Sequence, residues 1–171
     1  LEFADMARVY EIDPAVMART AAWLASGQQS DGSWTPTEGG IAEGAINQYQ
    51  GQALRTTAYI AWALAEAGQG GRSLERALAY LRSSIGSTDD AYTLAVAANA
   101  FAAAKDGAAR EVLARLVKAG KADEDGMHWE SSGESAVYSR GDVLAIETTA
   151  IAAQALIRFA KGVVVSYRGT W

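Results

Sequence analysis

Hydrophobic positions recur at three- and four-residue spacings along most of the chain, a period typical of amphipathic helices. Asp13-Pro14 marks the start of the first helix, whose apolar stripe is Val16, Ala21, Trp23 and Leu24, and Gly27 marks its end. Ser73 is expected to open the third helix, and Thr88 or Asp89 to cap the fourth. The pattern predicts six helices, at about 14–27, 52–67, 73–85, 89–105, 108–119 and 143–160.

Two polar segments, 28–50 and 120–142, lack this period and are predicted to be loops. Residues 163–167 fit either a short strand or the start of a further helix. No other segment favours a strand, so the predicted fold class is all-α.

The predicted helices alternate in character. Those at 52–67, 89–105 and 143–160 are rich in alanine and nearly uncharged, and the other three are amphipathic. A helix that is apolar all round must be surrounded by protein. The alternation therefore indicates an inner layer of helices covered by an outer one, as stacked helical hairpins produce.

A short turn motif repeats along the chain. Asp31-Gly32-Ser33-Trp34 has counterparts in Asp125-Gly126-Met127-His128-Trp129 and in Gly169-Thr170-Trp171. Glycine allows a tight turn, and the tryptophan can fold back and close the end of a hairpin. We predict a structural role for this repeat motif, whose members are Gln28, Asp31, Gly32, Trp34, Gly126, Trp129, Gly169 and Trp171.

Composition excludes several functions. The 15 basic and 20 acidic residues give a net charge of −5, whereas nucleic-acid binding needs a clustered basic surface. The absence of cysteine excludes disulfides and thiolate chemistry within these 171 residues. No run of about 18 uninterrupted apolar residues predicts a membrane span. No catalytic triad, phosphate loop or zinc motif is present, so no cofactor and no metal are predicted.

Four weaker signals have ordinary structural interpretations. Ser87-Thr88-Asp89-Asp90 is similar to the Asp-x-Asp-Asp acid of class II terpene cyclases, but Ser87 replaces the first aspartate and a helix cap explains the rest. Arg140-Gly141-Asp142 is expected to form a turn before the last helix. His128 is expected at the surface or at a helix end. Glu147 is expected to pair with Arg55 or with Tyr or Thr hydroxyls.

Gln28-x-x-Asp31-Gly32-Ser33-Trp34 resembles the glutamine–tryptophan repeat of α/α-toroid proteins. Thr57 to Leu64, Asp90 to Ala95, His128-Trp129-Glu130 and Ile146 to Ala150 follow in the order found in the thioester-containing domain of the α2-macroglobulin and complement family. The resemblance covers residues 14–161. The alanine-rich style is that of a bacterial member.

The resemblance implies a partial α/α toroid of about six helices. In the family, this domain carries a thioester between a cysteine and a glutamine, which acylates a protease or surface after proteolytic activation. The chain has no cysteine, so the motif would lie upstream or be absent. The polar residues Thr57, Tyr59, Tyr92, Glu147 and Thr148 are candidates to line the inner helices.

Complement-type members place a histidine in the loop after the tryptophan, and it sets a preference for hydroxyl acceptors. That position falls near Ala42 or Glu43, and neither is histidine. The resemblance therefore implies an amine-preferring thioester in any parent protein that carries one.

We expect three segments: an extension at 1–13 that need not belong to the natural protein, a partial toroid at 14–161, and a tail at 162–171 that begins the next repeat. The resemblance implies a non-catalytic fragment of a protease-trapping inhibitor outside the cytoplasm, in the periplasm or at the cell surface. Its partners would be proteases, through the parent protein, and further copies of the chain, through open ring ends. A fragment of a terpene-cyclase-like or prenyltransferase-like enzyme and a helical protein-binding module are the alternatives.

Overall fold

A computed structural model describes residues 1–35, 53–124, 126–135 and 139–168. Its internal contacts divide the chain into two compact units, Leu1–Ser84 and Ile85–Trp171. We call them the N-terminal and the C-terminal unit and describe each by itself.

The described part of the N-terminal unit consists of helices. Asp13 caps the second of them by accepting the Ala15 N–H at 2.8 Å, and Pro14 occupies the first turn, as predicted. Gly27 is the C-cap of the same helix. The helices are α1 at Glu2–Met6, α2 at Pro14–Ser26, α3 at Ala53–Glu66 and α4 at Gly71–Ser84.

Helices α3 and α4 pack against each other and provide most of this unit's core. Helix α4 is amphipathic and buries one face, with Ala77, Leu78 and Leu81. It begins at Gly71, so the prediction that Ser73 opens it was wrong by two residues. Trp23, which the sequence placed in the apolar stripe of α2, is 73% exposed and does not share the inward side of that helix.

The C-terminal unit is built around one apolar helix, α5, at Ala91–Ala103. All residues from Ala91 to Phe101 are buried, as expected for a helix that is hydrophobic all round. Its cap is Asp90, whose carboxylate accepts the Thr93 N–H at 2.9 Å. The sequence had indicated Thr88 or Asp89, but the Thr88 hydroxyl instead accepts the Asp90 N–H.

Two helices pack on α5: α6 at Ala109–Ala119 and α7 at Gly141–Arg168. Helix α6 buries one face and exposes its charged residues, as predicted for an outer helix. Asn99 joins α5 to α7, since its fully buried amide nitrogen donates to the Ala95 and Ile151 carbonyls, each at 3.0 Å.

A small hairpin was missed in the sequence. Strands β1 at Lys121–Asp123 and β2 at Gly126–His128 pair antiparallel, with Lys121 opposite His128. Both lie in the predicted loop at 120–142, and a strand of three residues is too short for alternation to reveal. A short 3₁₀ turn at Ile85–Ser87 precedes α5.

Helix α7 is longer than predicted. It continues through Arg168, which resolves residues 163–167 as helix. An 18-residue window within Gly141–Ala160 has a mean hydropathy of 1.4, so by length and composition alone this part of α7 passes the test for a membrane span, contrary to our expectation. A core helix passes the same test, but only 22% of this window is buried, although α7 does pack on α5.

The six predicted helices are confirmed by α2 to α7, with ends that differ by a few residues except at the C-terminal end of α7. The all-α class is confirmed, with the hairpin as its one exception in the part of the chain that the structure describes.

Candidate functional site

Trp34 closes the end of the α2–α3 pair through three polar contacts. Its backbone N–H donates to the Thr57 hydroxyl on α3 at 2.9 Å, and that hydroxyl donates back to the Trp34 carbonyl at 3.5 Å. Its indole N–H donates to the Leu24 carbonyl on α2 at 2.7 Å. The side chain is 4% exposed. We call Trp34, Thr57 and Leu24 the first tryptophan clamp.

Trp129 makes the same contacts in the C-terminal unit. Its N–H donates to the Thr149 hydroxyl on α7 at 3.0 Å, and that hydroxyl donates back to the Trp129 carbonyl at 3.3 Å. Its indole N–H donates to the Leu116 carbonyl on α6 at 2.7 Å. This is the second tryptophan clamp, and Trp129 is 3% exposed. Leu24 precedes Leu116 by the same number of residues as Thr57 precedes Thr149, so the clamps belong to one internal repeat.

The turn before Trp34 is fixed to α4 by Gln28. The side-chain amide of Gln28 donates to the Gly32 and Ser73 carbonyls, each at 2.9 Å, and accepts the Ser73 hydroxyl at 3.0 Å. Gly32 has φ +93°, and a Cβ placed there would lie 2.4 Å from the Arg76 carbonyl oxygen. Glycine is therefore required at this position for both its conformation and its size.

Asp31 stabilises the same turn as an ionised carboxylate. Its Oδ1 accepts the Ser33 N–H at 2.9 Å and the Ser33 hydroxyl at 2.7 Å. These bonds, with a smaller contribution from the Arg76 charge, lower the pKa of Asp31 below its ordinary value. Because a hydrogen bond to the charged form favours that form, the turn prefers the ionised aspartate.

We expect replacement of Asp31 by asparagine to reduce stability only where Asp31 is ionised. With a folded-state pKa below the unfolded value near 4, Asp31 stabilises the fold fully above that pH, and the stabilisation disappears as the pH falls through the folded-state pKa. Urea unfolding of the wild type and Asp31→Asn between pH 2 and 6 measures the difference. A difference that is constant across this range would contradict the prediction.

The glycine of the second turn has a different role. Gly126 has φ +137° but opens strand β2, and a Cβ there would contact none of the described residues. The similarity between the two turns thus extends to the tryptophan and its anchors and not to the glycine. Gly169 and Trp171, the third predicted repeat, lie outside the described residues.

The polar candidates on the inner helices have several environments. Thr148 is buried and bonds back to the Leu144 carbonyl at 2.7 Å, whereas Tyr92 is fully buried in α5. Tyr59 packs edge-on against Trp62, with ring centroids 6.3 Å apart. The Oε2 atom of Glu147 is buried and has no hydrogen-bond partner among the described residues of the C-terminal unit, so the expected bonds to Tyr or Thr hydroxyls are not seen there.

Ala42 and Glu43 are the positions that the family resemblance predicts to lie near a thioester. Both are outside the described residues. His128 is on the surface strand β2, where its Nδ1 lies 3.1 Å from Asp123 Oδ2 and its Nε2 lies 3.5 Å from Glu130 Oε1. The pKa of Glu130 is below its ordinary value. The largest cause is Lys121, through a hydrogen bond and through its charge. This arrangement is a solvated ion cluster on the hairpin.

Asp90 serves as a cap and an anchor. One oxygen accepts the Thr93 N–H and hydroxyl, and the other accepts the Ser131 hydroxyl. The Asp89 side chain is 96% exposed and pairs with Arg115. These contacts are those of a helix cap and a surface ion pair, as predicted for this segment.

Arg140 contacts Glu134, which is 5% exposed, at 2.9 Å, and this contact raises the Arg140 pKa. Gly141, with φ +55°, begins α7. The prediction of a turn before the last helix was therefore wrong by about two residues, because Gly141 and Asp142 already belong to the first turn of α7.

The described residues contain no group of three or more His, Cys, Asp or Glu side chains that could hold a metal. What they do contain is two copies of a packing device that joins an inner helix to an outer one. The anchoring threonines could have been found by aligning Thr56-Thr57 with Thr148-Thr149, which pairs Thr57 with Thr149 rather than with Thr148.

Comparison with known proteins agrees with this architecture. The family model described as the A-macroglobulin TED domain, the thioester-containing domain, matches residues 2–168. Ovostatin of Gallus gallus is 33% identical over 138 residues, which are 78% of this chain but only 9% of ovostatin. The all-α class of the structure agrees with this match, and the chain belongs to the A-macroglobulin TED domain family.

Proposed function

We propose that this chain is a thioester-domain segment of a larger α2-macroglobulin-like protein that traps proteases. The observation that carries the proposal is the family match over residues 2–168. Since the chain spans 9% of ovostatin, the trap would be an activity of the whole parent protein. The tryptophan clamps would keep the segment rigid while other parts of the parent meet the protease.

We assign the segment itself no catalytic role. It lacks cysteine, and its described side chains form hydrogen-bonded caps, clamps and surface ion pairs. An extracytoplasmic location, in the periplasm or at the surface, follows from the proposed encounter with foreign proteases. A bacterial origin stays a prediction from the alanine-rich composition.

The trap is tested with the full-length parent protein and trypsin. A protein that encloses a protease blocks large substrates by exclusion and leaves the catalytic site open to small ones. We expect casein cleavage to fall while hydrolysis of a short peptide substrate continues, and the present chain alone to change neither. Equal loss of both activities would indicate active-site inhibition, and no loss would reject the proposal.

Acceptor preference would follow from the absence of histidine at Ala42 and Glu43. If the parent carries a thioester, we expect activated protein to transfer to methylamine in preference to glycerol. Mass spectrometry of the labelled parent measures both adducts, and a strong preference for glycerol would overturn this assignment.

A second copy of the chain is the other proposed partner. Three large apolar side chains share one face of α7: Val143, Ile146 and Ile157 are 61%, 71% and 56% exposed. An apolar face of this kind favours association with an identical face. We expect sedimentation equilibrium to show a molecular mass that rises with concentration, and Ile146→Glu to abolish that rise. A wild-type monomer at every concentration would contradict self-association.

A further inference from the structure

The N-terminal unit contains an apolar pocket between α1, α2 and α3, with a volume of about 110 Å³. Its wall includes Met17, Thr20 and Ala21 of α2, Ala63 of α3, Ala67 just after α3, and Ala4 of α1. All of these residues belong to one compact unit.

The side chains that line the pocket offer almost no hydrogen-bonding group to a ligand. Thr20 has the only hydroxyl in the wall, and this hydroxyl donates to the Val16 carbonyl of its own helix at 2.9 Å. No ionisable side chain lines the pocket, and the one ionisable group among its wall residues is the terminal amine of Leu1. The side chains of the wall therefore offer a charged or strongly polar molecule little in exchange for its hydration.

The internal repeat shows why the space is open. Aligning the two clamps places Ala21 on Leu113 and Ala67 on Phe159, so at these two positions the N-terminal unit has alanine where the other copy has a large side chain. Leu113 is buried in α6, with 4% exposure, together with Val112 and Leu116. In contrast, no residue of α2 is buried. At Ala21 the counterpart fills space that α2 leaves open, whereas Met17 is the larger residue of its pair with Ala109.

The dimensions limit what can enter. A cavity of about 150 Å³ lined by aliphatic and aromatic side chains holds benzene or xenon, so a pocket somewhat smaller than this accommodates about one ring. Met17 lies in the wall, and its flexible thioether can adapt to the shape of a guest.

We propose that this pocket is a binding site for a small, uncharged, apolar ligand of about one six-carbon ring. Such a ligand would complete the packing of α2 that Leu113 and its neighbours complete for α6. The proposal does not depend on the function of the parent protein, because it concerns only the N-terminal unit of this chain.

Benzene is the probe, and [¹³C-methyl]methionine spectra of the full chain provide the readout. The chain has three methionines: Met17 lines the pocket, and Met127, on the hairpin of the other unit, is an internal control. We expect a saturable shift of the Met17 methyl with benzene, no shift of Met127, and no effect of benzoate, which has the same ring with a charge. At tenfold excess over Kd, benzene should raise Tm by about 3–6 °C.

Two matched variants separate the pocket from the rest of the helix. Ala21→Leu places the counterpart residue in the pocket and should weaken benzene binding at least tenfold, whereas Ala22→Leu adds the same atoms to an exposed position and should leave binding unchanged. Ala67→Leu is a second filling variant should Ala21→Leu not fold. A non-saturable Met17 shift in the wild type, an equal response to benzoate, or benzene binding that survives filling would overturn the proposal.

Discussion

Replacement of Trp34 by alanine is expected to lower the free energy of unfolding by about 3–5 kcal/mol, the range for removing a large aromatic side chain from a packed interior. The indole is almost fully buried and donates to the Leu24 carbonyl, so its removal leaves a cavity and takes from that carbonyl one of its two donors, the other being the Gly27 N–H. Urea titration followed by far-UV circular dichroism measures the change. Fluorescence is unsuitable here because the substitution removes a fluorophore.

Trp23 provides the matched control for this prediction. It lies on α2, one residue before Leu24, but its side chain is 73% exposed. Trp23→Ala should therefore change stability by no more than about 0.5 kcal/mol. Trp129→Ala should match Trp34→Ala, since both clamps make the same three contacts. If Trp34→Ala lowered the free energy of unfolding no more than Trp23→Ala does, the first tryptophan clamp would not stabilise the fold.

Periodicity was sufficient to locate the helices because most of them bury residues that their own sequence marks as apolar. Helix α5 is uniformly apolar and is the core of its unit, and α4 and α6 each show one apolar stripe. The predicted helix ends were less accurate where several neighbouring polar residues are each suitable as the cap. Thr88, Asp89 and Asp90 are all suitable caps, and only the geometry shows that Asp90 accepts the Thr93 N–H.

The burial of a single side chain was harder to predict than the helix that carries it. Trp23 was placed in the apolar stripe of α2 on hydrophobicity alone, yet Leu24 and Trp34 meet through a hydrogen bond while Trp23 is exposed. Of the tryptophans in the repeat, Trp34 and Trp129 are both buried at the end of a hairpin, as their position after a glycine-containing polar segment indicated. Their anchors were not predicted, because a threonine inside a helix usually bonds back to its own helix, as Thr148 does.

Thr57 and Thr149 instead bind backbone groups of a distant turn, and no local pattern encodes a contact over such a separation. The pocket beside α2 could not be predicted from local patterns either. Ala21 and Ala67 look like ordinary helix residues until the clamps fix the alignment of the two repeats. Only this alignment shows which larger residues stand at the equivalent positions.

Gly32→Ala is the second substitution with a large expected effect, a loss of about 2–5 kcal/mol in the free energy of unfolding. Two causes add. A residue with a Cβ is strained at φ +93° by about 1–2 kcal/mol, and the new methyl would lie 2.4 Å from the Arg76 carbonyl oxygen. Relief of that clash requires the turn to move away from α4, which typically costs a further 1–3 kcal/mol and stretches the bonds of Gln28 to Ser73.

Gly133 separates the two causes, because its φ of +90° is nearly the same and a Cβ there contacts none of the described residues. Gly133→Ala should therefore cost only the conformational part, about 1–2 kcal/mol. The excess loss in Gly32→Ala measures the clash with α4. That excess should also shrink when the side-chain amide of Gln28 is removed by Gln28→Ala, since the turn is then freer to move. Equal losses for the two glycine variants would mean that the turn already moves freely over α4.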